Sequence, residues 1–507
     1  MSPSASYLSS TSTKPEGDKF QLLLFNSITK RLEPFASIDL NRVRMYTCGL
    51  TVNDVMHLGH ARAYVIWDVL TRYLEYLGYE VFHVSNVTDI SIDDKILRRV
   101  NESNVSFQQH VNRYAQLYLE DRLKLGIAPA NVHPLATQHI QEMIDLVQKL
   151  IEKGFAYETD DGVYFRISRF QSYGSLSGVA RDRLEAGSSG RVSKDEYSKE
   201  EVGDFVLWKK SKPGEPYWHS PWGLGRPGWH IECSAMAMKY LGESFDIHCG
   251  GEEHVFPHHE NEIAQSEAVT GKPLARYWLH VRHLVLDGRK MSKSTGEFVS
   301  VRDAVEQYGP LSVRVFLLLT HYRKTMSLDQ DVFKTASKHA DKLGALWAAM
   351  QHFSVKGQPF PQTGEDRLLM QLSQSRSVFE EAMSRDLSTP LALSAILKLA
   401  RETARHLDNH GSISKDTAFM IHVFLKTVGT VLFGDLVASE LEQKQEGVFK
   451  DLVEFAVEQR DKLRSEQRYN DADLVRKRLE GLGMVLQDLS GSTIWRRAHR
   501  GNRESQG

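Results

Sequence analysis

The order of apolar and polar positions divides the chain into a front half of short strands and helices and a back half that is almost wholly helical. Residues 43–48 (Val-Arg-Met-Tyr-Thr-Cys) read as a buried strand that Gly49 ends. From Leu58 to Leu77 apolar residues recur at helical spacing, at Val65, Val69, Leu70, Tyr73, Leu74 and Leu77, and Gly78 stands where a helix C′ residue belongs. Tyr79 to Val84 predicts a second strand, and strand, helix, strand in this register is a βαβ unit of a parallel sheet. Residues 106–153 are mainly helical. Residues 154–225 break the pattern with runs such as Gly187-Ser188-Ser189-Gly190 and Ser198-Lys199-Glu200-Glu201, and read as an insertion into the sheet domain. The core signal returns as a strand at Phe245-Asp246-Ile247-His248, followed by a helix from Pro257 to Val269 with proline in its first turn. Helical spacing then runs from 330 to 440, with Thr389 as an N-cap and Pro390 at N1. A helical pair over 447–480 and short strands at Met484-Val485-Leu486 and Thr493-Ile494-Trp495 complete the pattern, without an internal repeat.

Composition narrows this little. The 507 residues suggest roughly two to four domains. Hydrophobic residues at 41% and charged residues at 25% are those of an ordinary globular chain. There is no run of about 18 apolar residues, which argues against a membrane span. A net charge of −2 neither advertises nor excludes a nucleic-acid partner, since a large protein can hold a basic face within a neutral total. The run Trp495-Arg496-Arg497-Ala498-His499-Arg500 is locally basic. Three cysteines, Cys48, Cys233 and Cys249, are too few and too odd for a disulfide framework and point to a reducing compartment. The first 17 residues, rich in Ser and Thr with Pro3 and Pro15, read as disordered. They lack acid before Glu16, as a transit peptide would, yet they also lack Arg and an amphipathic face, so a cytoplasmic location is expected, with organellar import as the alternative.

Three constellations carry chemistry. His57-Leu58-Gly59-His60 opens the first helix, where backbone N–H groups and the helix dipole favour phosphate and glycine lets a nucleotide approach. Two partly buried histidines capping the helix would look the same. Lys290-Met291-Ser292-Lys293-Ser294, 233 residues further on (290 − 57), places two lysines where they would clamp phosphates and stabilise departing pyrophosphate, unless they are plain solvated surface. In Pro257-His258-His259-Glu260-Asn261-Glu262, His258 and Glu262 stand at i and i+4 and share a helix face. Cys48 lies at the carboxyl end of the first strand, and a parallel sheet gathers ligands beyond such ends. With Cys233, these residues would make a four-ligand zinc site of two thiolates, an imidazole and a carboxylate; the alternative is a surface His/Glu pair.

The first two motifs resemble the HIGH and KMSKS signatures of class I aminoacyl-tRNA synthetases. The stretches Tyr46-Thr47-Cys48-Gly49, Gly225 to Ser234 (GRPGWHIECS) and Phe256 to Gln265 (FPHHENEIAQ) resemble the cysteinyl-tRNA synthetases in particular, and the resemblance runs from about residue 20 to 497. It implies an enzyme that activates L-cysteine with ATP, accompanied by Mg2+, and loads it onto tRNA(Cys), with one zinc ion binding the substrate thiolate. Zinc prefers sulfur to a neutral hydroxyl and lowers a bound thiol's pKa, so serine is a poor competitor. The resemblance assigns catalysis to His57, His60, His248, Lys290 and Lys293, and ATP binding to these HIGH and KMSKS residues with Gly59, Met291, Ser292 and Ser294. It places Thr88, Trp229 and His248 around the amino acid, and Cys48, Cys233, His258 and Glu262 on zinc. Asp and Arg side chains suit base edges, so Arg464, Asp473 and Asp488, with Trp495, are the candidates for tRNA contact.

The implied architecture is a Rossmann-like α/β catalytic domain with an insertion, followed by a helical bundle and a small mixed α/β domain. The expected boundaries are a disordered 1–19, first catalytic half 20–134, insertion 135–224, second half 225–275, KMSKS-bearing connection 276–333, bundle 334–440, anticodon-binding domain 441–497 and basic tail 498–507, in a monomer. The sequence departs from the family in three places. Two extra residues lie within Thr88-Asp89-Ile90-Ser91-Ile92-Asp93-Asp94-Lys95. Cys249 replaces the first of three glycines, as an inert buried thiol or an accessory ligand. Thr295 and Glu297 replace Leu and Asn after KMSKS. Two other readings are a cysteine ligase acting on an amino-sugar, against which the C-terminal domains count, and a catalytically silent tRNA-binding protein, against which the intact motifs count.

Overall fold

The computed structural model describes residues 20–90, 105–179, 203–212, 215–286, 289–290, 298–489 and 492–497. Residues 1–19, the two extra residues after Ile90, the loop residues Met291, Ser292, Lys293, Ser294, Thr295, Gly296 and Glu297, and the tail 498–507 lie outside this set, and of Lys290 only the backbone is described. The chain forms two units, Met1–Val437 and Ala438–Gly507.

In the first unit, β1 (Leu23–Asn26) and β2 (Arg31–Pro34) form a hairpin. The predicted βαβ unit follows as β3 (Arg42–Thr47), α1 (Leu58–Tyr76) and β4 (Glu80–Ser85), with β3 and β4 parallel. Helix α1 buries Val65, Val69, Leu70 and Leu74 completely, and Gly78, at φ +89, takes the left-handed step that ends it. Helices α2 (Phe107–Lys124) and α3 (Ile140–Glu152) lead into an antiparallel sheet of β5 (Ala156–Glu158), β6 (Gly162–Phe165), β7 (Phe205–Lys210) and β8 (Gly225–Pro227). This sheet is the body of the insertion. It runs through Pro227 rather than stopping at 224, because Gly225 and Arg226 pair with Lys210 and Lys209 of β7.

The chain then returns to the parallel sheet through α4 (Trp229–Leu241), β9 (Phe245–Gly251), α5 (Glu260–Thr270) and β10 (Ala275–Val281). The order β10-β9-β3-β4 means that the winding reverses between β3 and β9. A crevice at the carboxyl ends of those two neighbours is where such sheets hold ligands. Helix α5 is regular only from Glu260, not from Pro257. Proline forces the preceding residue out of helical conformation, and Phe256 is extended (φ −137, ψ 133), so Val255–His259 form a wider, π-type turn.

Beyond β10 come β11 (Leu284–Leu286), β12 (Arg289–Lys290), α6 (Val301–Tyr308), α7 (Pro310–Leu318) and β13 (Met326–Leu328), the three strands forming a small sheet in the order β12-β11-β13. Helices α8 (Gln330–Lys356), α9 (Glu365–Ser384), α10 (Thr389–His410) and α11 (Lys415–Phe433) form the bundle. Ser388, not Thr389, is the N-cap of α10; the Thr389 hydroxyl is taken by the Leu318 carbonyl at 3.0 Å. Among the described residues, α11 alone is long and apolar enough to cross a membrane by length and composition, but its Ala418, Ile421, Phe424, Leu425 and Leu432 are buried in the bundle.

The second unit contains most of α12 (Leu436–Ser465), then α13 (Tyr469–Gly481) and a hairpin of β14 (Met484–Leu489) and β15 (Ser492–Arg497). Its core is Val453, Val457, Leu479, Met484 and Leu486, with Trp495 packed against it.

Fully buried Arg314 ties α7 to three other segments of the first unit. It donates to the carbonyls of Leu432 (2.7 Å) and Leu125 (2.8 Å) and pairs with Asp68 of α1, which also accepts from Ala128 N–H (2.9 Å) and Arg72 (3.0 Å). Replacing Arg314 with Met would take one of its two arginines from the buried Asp68 carboxylate and leave the Leu125 and Leu432 carbonyls unanswered. It is expected to destabilise the protein by about 3–5 kcal/mol, read as a lowered midpoint in chemical denaturation; a midpoint equal to wild type contradicts that role for Arg314.

Candidate active site

His57 is the N-cap of α1. Its Nδ1 accepts the backbone N–H of His60 at 3.2 Å, while His60 Nδ1 accepts the backbone N–H of His57 at 3.5 Å, and the two rings stack with centroids 3.5 Å apart. The histidines therefore do cap the helix, as the plainer reading of the motif allowed, and the helix N-terminus still points its N–H groups outward. The segment after the lysine loop returns to this point. Ser300 bridges antiparallel to His57, with Leu58 N–H on the Val299 carbonyl (3.1 Å) and Val301 N–H on that of Met56 (2.9 Å). The segment that follows the lysine motif is thus joined by backbone hydrogen bonds to the start of the first motif's helix.

At the crevice between β3 and β9, ligand atoms of Cys48, Cys233, His258 and Glu262 lie within 4.8 Å of one another, all buried. Cys48 follows β3 directly, where its neighbour Gly49 has no room for a side chain: a Cβ there would lie 1.5 Å from the Asn86 carbonyl oxygen. Cys233 sits in α4, which is keyed to α5 by the Ser234 hydroxyl on Gln265 Oε1 (2.6 Å). Helix α5 is itself fixed by the insertion. Glu260 accepts the backbone N–H groups of Gly174 (2.8 Å), Leu176 (3.2 Å) and Ser177 (2.7 Å), and Asn261 Oδ1 accepts the Tyr173 hydroxyl (2.5 Å). Glu262 Oε1 then meets His258 Nε2 at 3.0 Å and Cys48 Sγ at 3.7 Å, and Oε2 meets His248 Nε2 at 2.9 Å.

Electrostatics divide these groups. Burial opposes charge on Glu262, but His248 and His258 hold its carboxyl well below the usual range. Burial also opposes charge on His258, and Glu262 and Cys233 outweigh it, raising that imidazole to about 9. A hydrogen bond from Cys48 lowers the Cys233 thiol, whereas burial and Cys233 push Cys48 well up. Cys233 is thus the more readily ionised of the two sulfurs, and Glu262 and Cys233 favour positive charge at His258, where a dication would supply more. Two soft sulfurs, an imidazole and a carboxylate in this arrangement fit zinc.

A second quartet, Cys48, His248, His259 and Glu262, is equally close. His259 Nε2 lies 3.2 Å from Cys48 Sγ, and its Nδ1 meets His280 Nε2 (2.8 Å), whose Nδ1 meets the Ser27 hydroxyl (2.8 Å). Sequence reasoning missed His259, although it stands three residues before Glu262, a spacing that also shares a helix face. It missed His230 too, whose Nδ1 lies 2.9 Å from His258 Nδ1. Of the residues assigned to the amino acid, Trp229 stacks on His258 at 4.1 Å, and His248 stacks on Trp278 at 4.4 Å with its Nδ1 buried and unpartnered. Thr88 is buried beside the crevice, its hydroxyl accepting from Asn86, which also holds Gly49 N–H. Cys249 is fully buried on β9, belongs to neither quartet, and has its thiol pushed well up by burial. Gly250 beside it has to be small, because a Cβ would come within 2.6 Å of the His259 ring.

Residues 34–338 match the family described as tRNA synthetases class I (C) catalytic domain, and residues 378–433 match the DALR domain. A cysteine-tRNA ligase of Thermococcus onnurineus is 42% identical over 94% of this chain and 98% of its own length, and one of Thermotoga maritima is 42% identical over 92% and 98%. The chain belongs to the cysteine-tRNA ligase family. Among solved structures, methionyl-tRNA synthetase of Mycobacterium tuberculosis in complex with methionyl-adenylate aligns with a TM-score of 0.57 at 16% identity, over 81% of this chain and 93% of that one, a likeness of fold.

The second unit of this cysteine-tRNA ligase family member separates the four residues assigned to tRNA. The Asp488 carboxylate is taken up internally by Arg460 (2.7 and 3.0 Å), Arg476 (3.2 Å) and Arg464 (2.9 Å), and Trp495 packs on the core. Asp473 is exposed, and Arg464 is 41% exposed.

The two quartets can be told apart by metal content. Cys233→Ser is expected to lower zinc affinity roughly a hundredfold or more, since even outer residues of such sites are worth 10–100-fold, while His259→Ala keeps zinc at wild-type stoichiometry. Elemental analysis after dialysis checks both; the reverse pattern would move the ion to the second quartet.

Proposed function

We propose that the chain joins L-cysteine to tRNA(Cys) at the cost of ATP, with one zinc ion held by Cys48, Cys233, His258 and Glu262. The observation that carries this is the buried two-thiol, imidazole, carboxylate cluster in the same strand-to-helix crevice that starts the His57–His60 helix. A bound zinc supplies a soft Lewis-acidic position that takes a thiolate in preference to a hydroxyl.

The rest falls to the chain's own groups. Trp229, stacked on His258, is placed to wall the side chain of the amino acid. Glu262 orients His248 through Nε2, and Asn86 orients Thr88. These contacts support roles for His248 and Thr88 in holding the amino acid so that a carboxylate oxygen attacks the α-phosphorus of ATP in line. Pyrophosphate then leaves with the electrons of the broken P–O bond. His57, His60 and the helix N-terminus, with Gly59 allowing close approach, face the phosphates from one side. The resemblance of their motif assigns Lys290 and Lys293, with Met291, Ser292 and Ser294, to the same phosphates, and Mg2+ accompanies ATP as a substrate ion. Catalysis is then largely positioning and stabilisation of charge on the leaving pyrophosphate. In the second step a hydroxyl of the terminal ribose of tRNA attacks the cysteinyl carbonyl carbon and AMP leaves. Arg464 and Asp473 are the exposed side chains offered to the anticodon, with Asp488 holding Arg464 in place.

The wild-type chain is expected to catalyse cysteine-dependent ATP–pyrophosphate exchange and to charge total tRNA with cysteine but not serine. Cys233→Ser should abolish exchange, and exchange at wild-type rate in a zinc-free variant would remove the metal from the reading. Deleting residues from 438 onward should leave exchange intact and cut tRNA charging; unchanged charging would refute the assignment of the second unit.

A further inference from the structure

Arg62 lies two residues beyond His60 in α1, is fully buried, and makes no ion pair among the described residues. Its guanidinium instead gathers four backbone carbonyls. Nη1 donates to Arg282 and His283, both at 2.9 Å, and Nη2 donates to His321 (3.1 Å) and Lys324 (2.5 Å). Arg282 and His283 are the link from β10 into β11, and His321 to Lys324 is the link from α7 into β13. The two chain segments that lead into the β12-β11-β13 sheet therefore converge on one side chain of the signature helix. The far side of the second link is gripped by Asp386, whose carboxylate takes the Tyr322 hydroxyl and Arg323 Nε, both at 2.5 Å. Asp386 itself sits at φ +61, a conformation a non-glycine rarely adopts. A planar fork with two terminal amines can answer four carbonyls at once, whereas the single ammonium of lysine cannot span them.

We infer that Arg62 is a positioning residue for adenylate formation: it fixes the β12-β11-β13 sheet, and with it the backbone of Lys290, against the helix that begins at His57. This rests on the functional reading above. Since displacements of about 1 Å near reacting groups cost on the order of a hundredfold, Arg62→Lys is expected to lower kcat for cysteine-dependent pyrophosphate exchange roughly 10- to 100-fold. The KM for cysteine and the zinc stoichiometry should stay at wild-type values, because Arg62 bonds to the two sheet links and not to the metal cluster. In a double-mutant cycle with Lys290→Ala the two losses should fall short of additive, as expected if one residue acts through the other. Arg62→Gln, which keeps a single amide donor, is the second variant and should show the same split. Exchange within twofold of wild type, additive losses in the cycle, or a fall in zinc content and cysteine KM parallel to kcat in both variants would each overturn the inference. A wild-type chain without exchange would sink the functional reading itself, and this inference with it; an active wild type with unimpaired variants would sink only the inference.

Discussion

A carboxylate with no exposed area has to be answered, because leaving such a charge alone in the interior costs several kcal/mol. Glu262 is that group, and the surroundings of the crevice are arranged around it. His248 takes one oxygen and His258 the other, the two sulfurs close the remaining side, and Glu260, two residues earlier on the same helix, is answered by three backbone N–H groups of the insertion. The helix dipole favours acids in a first turn, but a helix that buries two of them there needs partners to answer them. It forms because strand ends, a neighbouring helix and an inserted loop converge on it.

The parts of this arrangement that were legible in the sequence are those with a short period. The βαβ unit, the Gly78 stop and the pairing of His258 with Glu262 each follow from spacings of a few residues. The reaction class came from the resemblance of the longer motifs, not from geometry. What stayed hidden are contacts between distant segments. The clasp of Glu260 spans 83 to 86 residues, the His259–His280 contact joins the start of a helix to a neighbouring strand, and the return of Ser300 to His57 crosses most of the catalytic domain. Such pairings leave no periodic trace. In the second unit charge alone does not show which groups are already paired, for a related reason. Asp488 looked like a group for a partner, yet three arginines from two helices already use it.

Cys249 shows how strand alternation resolves what composition leaves open. Neighbouring side chains on β9 point to opposite faces, so His248 reaches the crevice while Cys249 is directed away from both ligand quartets. A cysteine at that position is tolerated, whereas the following residue has to be glycine because the His259 ring occupies the space.

The separation of Cys48 from Glu262 also sets an order of events during synthesis. The two lie 214 residues apart in the chain. At about 5–20 residues per second, a ribosome needs roughly 10–40 s to make the acid after it has made the thiol. For most of that interval the nascent chain carries a sulfur whose eventual partners do not yet exist, along with no more than two of the four strands of its parallel sheet. The centre therefore cannot close until the chain has been made as far as Glu262, and the first cysteine must survive its wait as a free thiol.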